Sequence, residues 1–251
     1  MLDCRNLTVG YGREKNLLNK LDLTAPKGSI TALLGANGVG KTTLFKAILQ
    51  EIPYTGSVFC DNTCLRELAP RQRARLISIL PQHLPAPALS VRETVALGLS
   101  PHVARLGTVE WERVEDAVDA VGLSSLAERL VSTLSGGERQ KAFLAMLLVQ
   151  DTPVLLLDEP TAHMDSTFIA RFYELLHKEA QKGKAILLVT HDLGEAFAEA
   201  DRIAVLEQGH IAFVGTATEA LEQEIPEKHF SLTRYVAKRG EKTAVFFRAE
   251  H

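Results

Sequence analysis

The segment Gly35–Thr42, GANGVGKT, restricts the possible fold more than any other part of this 251-residue chain. It fits the pattern G-x-x-x-x-G-K-[ST], with an apolar run, ITALL, before it and a helical pattern, KTTLFKAILQ, after it. A glycine-rich turn between a strand and a helix lets successive backbone amides point at phosphate oxygens, because no Cβ stands in the way. The sequence therefore predicts a phosphate-binding loop within an α/β core.

This loop is expected to bind the phosphates of ATP. The Lys41 ammonium should reach the β- and γ-phosphates and should be solvated when the site is empty, and the Thr42 hydroxyl should bind Mg²⁺. ATP and Mg²⁺ are thus the predicted substrate and cofactor. The residues predicted to contact the nucleotide from this loop are Gly35, Asn37, Gly38, Gly40, Lys41, Thr42 and Thr43.

Three further polar residues follow apolar runs that are typical of buried parallel strands. In VLLLDEP, Asp158 is a predicted magnesium ligand and Glu159 is predicted to polarise the attacking water, although a helix N-cap or a surface acid is the alternative for Glu159. His191 follows AILLVT in the same way. Because carboxyl ends of parallel strands share one sheet edge, His191 is a predicted γ-phosphate contact, against the alternative of a structural histidine.

Strands alternate with helical patterns, which predicts a mostly parallel sheet covered by helices. Residues 1–69 and 151–215 are expected to form the α/β core of a single domain. Residues 70–150 are expected to form a helical subdomain, since Val114, Ala117, Val118 and Val121 share one helix face. The segment 84–90, LPAPALS, predicts an irregular loop before a helix near Ser90. The extension 216–251 contains a predicted hairpin that turns at Arg239 and Gly240.

Composition narrows the functional classes. A net charge of −3 gives no basic surface for nucleic acid. The three cysteines form no even disulfide framework, and the start of the chain lacks the pattern of a secretory signal, so we expect a reducing cytosol. No apolar run reaches the roughly 18 residues of a membrane span. Work at a membrane would therefore require a partner.

A second glycine pair, Gly136–Gly137, lies directly before a helical pattern in LSGGERQ, and bare amides at a helix start form an anion site. Together with LLLDEP, this stretch resembles the ATP-binding cassette family over residues 2–215. In that family the serine-glycine-glycine turn caps the γ-phosphate that a second subunit holds. The resemblance therefore implies a head-to-tail homodimer in which Ser135, Gly136 and Gly137 contact the other chain's nucleotide.

The same resemblance assigns three more residues. Tyr11, in VGYG, falls where the family stacks an aromatic ring on adenine, with a core tyrosine as the alternative; Gln82, in ILPQ, falls at the glutamine that senses the γ-phosphate and metal. Asp165, in TAHMD, falls at the aspartate that crosses the dimer interface. Two departures are Glu138, where glutamine is common, and His163–Met164, where Ala-Leu is frequent.

Within the family, residues 68–102 and the stretch RQKAFLAMLLVQDTPVLLLDEPT are most similar to ATPases of importers for iron-siderophore, haem and cobalamin. This implies a multi-span permease that docks near the glutamine loop, an indirect substrate-binding protein, and a place on the cytoplasmic face of the cell membrane. An exporter ATPase or an importer for another substrate is the alternative. A soluble cassette protein of translation or DNA repair fits less well, because no sustained heptads separate the two glycine motifs. A P-loop kinase has no use for LSGGERQ.

Overall fold

Buried strands alternate with helices through most of the chain. The computed structural model describes residues 1–10, 17–162, 164–239 and 242–249. The strands are β1 (Leu2–Val9), β2 (Leu18–Ala25), β3 (Ser29–Leu34), β4 (Thr55–Cys60), β5 (Thr63–Cys64), β6 (Ile77–Leu80), β7 (Val154–Asp158), β8 (Ala185–Val189), β9 (Arg202–Glu207), β10 (His210–Thr216), β11 (Leu232–Arg239) and β12 (Lys242–Ala249). The helices are α1 (Lys41–Ile48), α2 (Pro70–Arg73), α3 (Val91–Ala96), α4 (Thr108–Ala120), α5 (Gly136–Gln150), α6 (Ser166–Gln181), α7 (Leu193–Glu199), α8 (Ala217–Glu222) and α9 (Ile225–Phe230).

The chain forms two compact units. One contains Met1–Glu67 together with Ala180–His251, and the other contains Leu68–Glu179. The second unit begins close to the expected start of the helical subdomain at residue 70. It continues beyond residue 150, because β7 pairs with β6 and so belongs to the same unit.

Among the described residues, the first unit contains two sheets besides the two-stranded sheet β11–β12. The strands of one sheet pair antiparallel in the order β2-β1-β4-β5. In the other, β3 pairs parallel with both β8 and β9, and β10 pairs antiparallel with β9. Ile30, Leu33 and Leu188 are fully buried, as expected of strands that are covered on both faces. The predicted parallel core is thereby confirmed.

The second unit consists mainly of helices around the parallel pair β6–β7. Helices α3, α4 and α5 contact one another. The predicted stripe on α4 is confirmed, since Val114, Val118 and Val121 are buried in this unit. The loop before α3 is also confirmed, because the helix begins at Val91 with Ser90 as its N-cap.

The extension after β10 has more structure than the sequence pattern indicates. The two short helices α8 and α9 precede the hairpin β11–β12, which pairs antiparallel from Leu232↔Ala249 to Arg239↔Lys242. The predicted hairpin is therefore confirmed. Gly240, at the predicted turn, lies outside the described residues.

Two of the three cysteines have environments that disfavour the reactive thiolate. Burial raises the pKa of Cys4 to about 12, and burial also raises the pKa of Cys60. A thiol whose pKa is raised stays protonated at neutral pH and is a poor nucleophile or metal ligand. Neither cysteine is thus a candidate for chemistry.

Candidate functional site

The first unit holds the glycine-rich loop between the end of β3 and the start of α1. Gly35 has a φ of 153°, and a Cβ there would lie 2.5 Å from the carbonyl oxygen of Leu206. Gly38 has a φ of 77°, and no heavy atom lies within 4 Å of the position its Cβ would take. Gly35 is therefore required by close packing, whereas the open space beside Gly38 leaves room for a ligand.

Helix α1 starts in a way that exposes its first turn to a ligand. Its N-cap, Gly40, is left-handed with a φ of 116° and has no side chain to occupy the first amides. The first helical bond joins the Leu44 amide to the Gly40 carbonyl at 2.8 Å. Thr42 is exposed and Thr43 is buried in this turn. Helix-start amides of this kind favour a phosphate group.

Lys41 is not solvated as expected. Its side chain is only 6% exposed, and its Nζ donates to the carbonyl oxygens of Gly35 at 2.6 Å and Ala36 at 3.0 Å. The sequence expectation was wrong because the loop curls so that two of its own carbonyls face the ammonium. A bound phosphate must therefore compete with these carbonyls for Lys41.

His191 occupies the predicted edge of the first unit's parallel sheet. Leu33 of β3 pairs with Val189 of β8, so Gly35 and His191 each lie two residues beyond a paired position. His191 is exposed. The residue after it, Asp192, accepts a 2.9 Å bond from the Glu195 amide and so caps α7. Because the residue next to His191 caps α7, the start of this helix fixes the backbone position of His191.

The second unit brings Gln82 and Glu159 into direct contact. Leu80 of β6 pairs in parallel with Leu157 of β7, and each chain then continues for two residues. Gln82 Nε2 donates to Glu159 Oε2 at 2.7 Å. The sequence predicted a role for both residues but not their contact, which depends on the register of two strands that are far apart along the chain.

Asp158 and Glu159 differ in surroundings although they are adjacent. Asp158 ends β7 and is 3% exposed, whereas Glu159 is half-buried. Glu159 has a φ of 50°, which is uncommon for a residue with a Cβ. Conformations of this kind cost free energy and concentrate at functional sites. The backbone thus turns sharply between the buried carboxylate of Asp158 and the more accessible carboxylate of Glu159.

The motif LSGGERQ forms the start of α5. Ser135 is the N-cap, and its hydroxyl accepts a bond from the amide of Glu138 while the Glu138 carboxylate accepts from Ser135. The spacing S-x-x-E is the sequence signal of such a capping box, and our sequence reading missed it. Ser135 and Gly136 are exposed, so this helix start is accessible.

Gln82 and the start of α5 share one pocket of about 230 Å³. The pocket is lined by Gln82, His83, Leu84, Gly136, Arg139 and Gln140. The structure therefore brings the glutamine loop and the glycine pair together in one chain. The sequence analysis assigned no role to Arg139 and Gln140, because both belong to a continuous helical pattern.

Asp165 lies just before α6 and is 65% exposed. Its Oδ1 accepts a 2.9 Å bond from the Phe168 amide, and its Oδ2 lies 3.9 Å from Lys141 Nζ. Lys141 also lies 4.1 Å from the centre of the Phe168 ring. Lys141 thus links α5 to the Asp165 loop, a connection that sequence spacing did not indicate.

Tyr11, the predicted adenine-stacking residue, and His163, one of the two departures in the interface loop, both lie outside the described residues.

The phosphate loop fits the phosphate groups of a nucleoside triphosphate. The space beside Gly38, the uncapped start of α1 and the inward-facing Lys41 ammonium suit phosphate oxygens. The candidate magnesium ligands Thr42, Asp158 and Gln82 all offer oxygen atoms, which Mg²⁺ prefers. Among the described residues, no group of three His, Cys, Asp or Glu side chains could hold a metal ion.

An apolar groove of about 410 Å³ lies elsewhere in the second unit. Arg71 and Arg75 donate to the Pro101 carbonyl at 3.0 and 2.8 Å, which fixes one wall to the segment around α2. Leu97 remains 51% exposed at the groove. The sequence expectation placed a docking surface in 68–102 but did not identify the groove. It is lined by Leu89, Glu93, Ala96, Leu97, Ser100, Val103, Ala104, Arg105, Leu106 and Trp111.

Comparison with known families and curated proteins agrees with the sequence motifs. The family profile described as ABC transporter matches residues 18–162. The petrobactin import ATP-binding protein FpuD of Bacillus anthracis is 36% identical over 92% of this chain and 86% of its own length. The iron(3+)-hydroxamate import ATP-binding protein FhuC of Bacillus subtilis is 33% identical over 92% and 88%. The hemin import ATP-binding protein HmuV of Myxococcus xanthus is 38% identical over 92% and 90%.

Solved structures give the same result. An inward-facing conformation of a metal-chelate type ABC transporter matches with a TM-score of 0.83 and 28% identity, over 100% of this chain and 97% of the other. A dimeric post-hydrolysis state of an ATP-binding cassette, bound to ADP and Pi, matches with a TM-score of 0.79 and 26% identity, over 86% of this chain and 99% of the other. The predicted fold is confirmed.

Proposed function

Because this chain belongs to the ABC transporter family, we propose that it is the ATP-hydrolysing subunit of an importer for an iron-siderophore, haem, cobalamin or related metal chelate. The observation that carries the hydrolytic part of this proposal is the 2.7 Å hydrogen bond between Gln82 and Glu159. It places a carboxylate and an amide side by side at the carboxyl ends of two parallel strands, where ligands bind in α/β sheets.

In this proposal Glu159 orients and polarises the attacking water. It is half-buried, and its carboxylate is held by the Gln82 amide. A positioned base of this kind contributes about 10²- to 10⁴-fold in rate. Lys41 and the start of α1 bind the β- and γ-phosphates, and His191 contacts the γ-phosphate.

Mg²⁺ is part of the proposal, with Thr42, Asp158 and Gln82 as its protein ligands. When bound, the ion would neutralise charge on the phosphate oxygens. The low exposure of Asp158 favours a carboxylate that faces a cation over one that faces water.

A homodimer completes the proposed site. Ser135 and Gly136 are exposed at the start of α5, where the family's arrangement requires them to face the γ-phosphate of a second copy. Asp165 is exposed as well, as a residue that crosses an interface must be before assembly. The similarity to a dimeric cassette supports this assembly.

The apolar groove is the proposed docking surface for a cytoplasmic helix of a multi-span permease. It follows the loop that contains Gln82, and its walls combine Leu97, Leu106 and Trp111 with the two charged residues Glu93 and Arg105. Such a surface suits an amphipathic segment with one large apolar side chain. No helix among the described residues could itself span a membrane. Docking on a permease would place the chain at the cytoplasmic face of the cell membrane.

Import of a metal chelate is supported by the named relatives, which are import ATP-binding proteins for petrobactin, iron(3+)-hydroxamate and hemin. A substrate-binding protein would then deliver the cargo to the permease on the far side of the membrane. No observation on this chain favours an exporter. The cargo itself would not contact this subunit.

The test uses the chain with the permease that co-purifies from detergent-solubilised membranes of its source. The complex is placed in lipid vesicles, and ATP hydrolysis is measured with ferric siderophores, haem and cobalamin in the presence of the binding protein. One of these ligands should stimulate hydrolysis. If none stimulates hydrolysis while ATP turnover itself is normal, the assigned substrate class is wrong.

A pair of matched variants tests the docking surface. Leu97→Glu should abolish co-purification with the permease, because it places a charge on the exposed apolar wall of the groove. Val214→Glu is the control, since Val214 has a similar exposure of 46% but lies on β10. Both variants should bind ATP like the parent. Normal co-purification of Leu97→Glu would contradict the docking assignment.

A further inference from the structure

The Ser135 hydroxyl forms hydrogen bonds within the start of α5. Ser135 Oγ donates to Glu138 Oε2 at 2.8 Å, and the Ser135 amide donates to the same oxygen at 2.8 Å. In return, the Glu138 amide donates to Ser135 Oγ at 3.3 Å. Glu138 Oε2 therefore accepts hydrogen bonds from both donors of Ser135, which contacts a phosphate in the proposed function.

This arrangement conflicts with capping a γ-phosphate. A serine hydroxyl has a single proton, and an ionised phosphate can only accept hydrogen bonds. Ser135 can donate to Glu138 or to the phosphate, but not to both. The Glu138 carboxylate also lies in the first turn of α5, where it competes with any other anion for the positive end of the helix. Binding of the phosphate must therefore displace one bond and bring two anions together.

The Glu138 carboxylate is ionised at neutral pH. Its hydrogen bonds from the Ser135 amide and hydroxyl lower its pKa, and the charges of Arg129 and Lys141 lower it further. These two cations have other contacts, because Arg129 donates to Thr133 at 3.2 Å and Lys141 lies near Asp165. The negative charge of Glu138 thus remains at the helix start.

Helix capping alone explains part of this geometry. Ser90 with Glu93 on α3, and Thr216 with Glu219 on α8, form the same box. In such a box the acceptor at the third helical residue satisfies the N-cap amide, and a glutamine oxygen can take the place of the carboxylate. The charge of Glu138 is therefore not needed for the cap, and its effect can be separated from capping by Glu138→Gln.

We propose that Glu138 is a positioning residue that opposes ATP-driven closure of the dimer, by holding the Ser135 hydroxyl and by repelling the γ-phosphate of the second copy. The inference rests on the proposed function, in which Ser135 caps that phosphate. The ATP-bound dimer forms when the bonds from the α5 amides and Ser135 outweigh the loss of the Ser135–Glu138 bond. The Glu138 carboxylate thus sets the ATP concentration at which two copies dimerise.

The test measures ATP-dependent dimerisation by sedimentation in the slowly hydrolysing Glu159→Gln background. Adding Glu138→Gln should lower the ATP concentration for half-dimerisation about fivefold at low salt, as expected when a repulsion between two close charges in water is removed. The gain should shrink at high ionic strength, because salt screens that repulsion. ATP affinity of the monomer should stay unchanged.

Two comparisons separate charge from structure. Adding Glu138→Ala removes both the charge and the cap, so it should also favour the dimer relative to the parent while lowering the melting temperature. Adding Glu219→Gln makes the same change in the α8 box and should leave dimerisation unchanged. If Glu138→Gln has no effect and Glu138→Ala weakens the dimer, Glu138 is only a helix cap and the inference is wrong.

The outcome also distinguishes this inference from the proposed function. If a Ser135→Arg change leaves the ATP-dependent dimer intact, Ser135 does not cap the second copy's phosphate and both fail. If Ser135→Arg abolishes the dimer while Glu138→Gln changes nothing at any salt concentration, the proposed function stands and only the role of Glu138 is rejected.

Discussion

Gln82 Nε2 donates to Glu159 Oε2 across 2.7 Å, from the end of one parallel strand to the end of its neighbour. The contact keeps the Glu159 carboxylate at the sheet edge, on a backbone with a φ of 50°. The hydrogen bond thus joins the proposed catalytic carboxylate and the proposed phosphate-sensing amide at one edge of the sheet.

The first prediction concerns Glu159→Gln. Glutamine keeps the volume of glutamate and an oxygen that can accept from Gln82, but it cannot polarise water as a base. The variant should bind ATP with Mg²⁺ normally and hydrolyse it at least about 10²-fold more slowly. Rapid quench of bound ATP measures the chemical step. Glu112→Gln, on the exposed side of α4, serves as the control, and parental turnover in Glu159→Gln would remove Glu159 from the mechanism.

Much of the fold follows from the sequence because buried parallel strands are short apolar runs that end in polar residues. In this way, the apolar runs of β7 and β8 predicted functional residues at or just after the strand ends, namely Asp158, Glu159 and His191. The contact between Gln82 and Glu159 could not be predicted, since it requires the register of β6 against β7. Pairing of two distant segments is decided by tertiary packing rather than by local pattern.

Two other features could not be predicted from the sequence, for different reasons. The burial of Lys41 depends on the curl of a glycine-rich loop, and glycine backbone angles are poorly constrained by residue type. The apolar groove combines Leu97 and Leu106 from segments with no shared helical period. A surface assembled from several irregular segments leaves no periodic signal.

The second prediction is that Lys41→Met lowers both the affinity for ATP and the free energy of unfolding measured without ATP. The variant removes the cation of the phosphate loop, and it leaves the Gly35 and Ala36 carbonyls without the ammonium that they now share. Gly35 is buried, and a buried acceptor that loses its donor costs about 1–3 kcal/mol. Ala36 is exposed, and its carbonyl also accepts from the Val39 amide at 3.4 Å, so it contributes less to the loss. Calorimetric titration and chemical unfolding measure the two effects separately.

Lys46→Met provides the control for Lys41→Met, because Lys46 lies in the last turn of the same helix and is exposed. It should match the parent in both measurements. Parental ATP affinity in Lys41→Met would contradict the assignment of the phosphate loop. Parental stability would instead show that the two carbonyls find water when the ammonium is absent.

The third prediction concerns Tyr11, whose role comes from the family resemblance. Removal of the ring in Tyr11→Ala should weaken ATP binding, because a base stacked on an aromatic ring gains about 1–3 kcal/mol. Binding of tripolyphosphate, which has no base, should be unaffected. Tyr11→Phe retains the ring and should bind ATP like the parent. Equal losses for both ligands in Tyr11→Ala would make Tyr11 a core residue.

The fourth prediction is a pH dependence of stability at α3. Hydrogen bonds from the Ser90 amide and then the Ser90 hydroxyl lower the pKa of Glu93 below its ordinary value of 4.5. A carboxyl whose pKa is lower in the folded state contributes stability above its ordinary pKa and loses it as the pH falls through the folded-state value. Glu93→Gln should therefore have a shallower loss of unfolding free energy below pH 4.5 than the parent. If the free energy of unfolding, measured with urea, falls equally with pH in the two proteins across that range, this prediction is wrong.

The fifth prediction tests whether Ser135 serves a second copy of the chain. Ser135 and Gly136 are exposed at the start of α5, so an arginine at position 135 would put bulk and charge where two chains meet. In the Glu159→Gln background, Ser135→Arg should abolish the ATP-dependent dimer while the monomer still binds ATP. Sedimentation with and without ATP, together with calorimetry at low protein concentration, gives both results. A double variant that still dimerises, or one whose monomer no longer binds ATP, would mean that LSGGERQ serves the phosphate loop of its own chain.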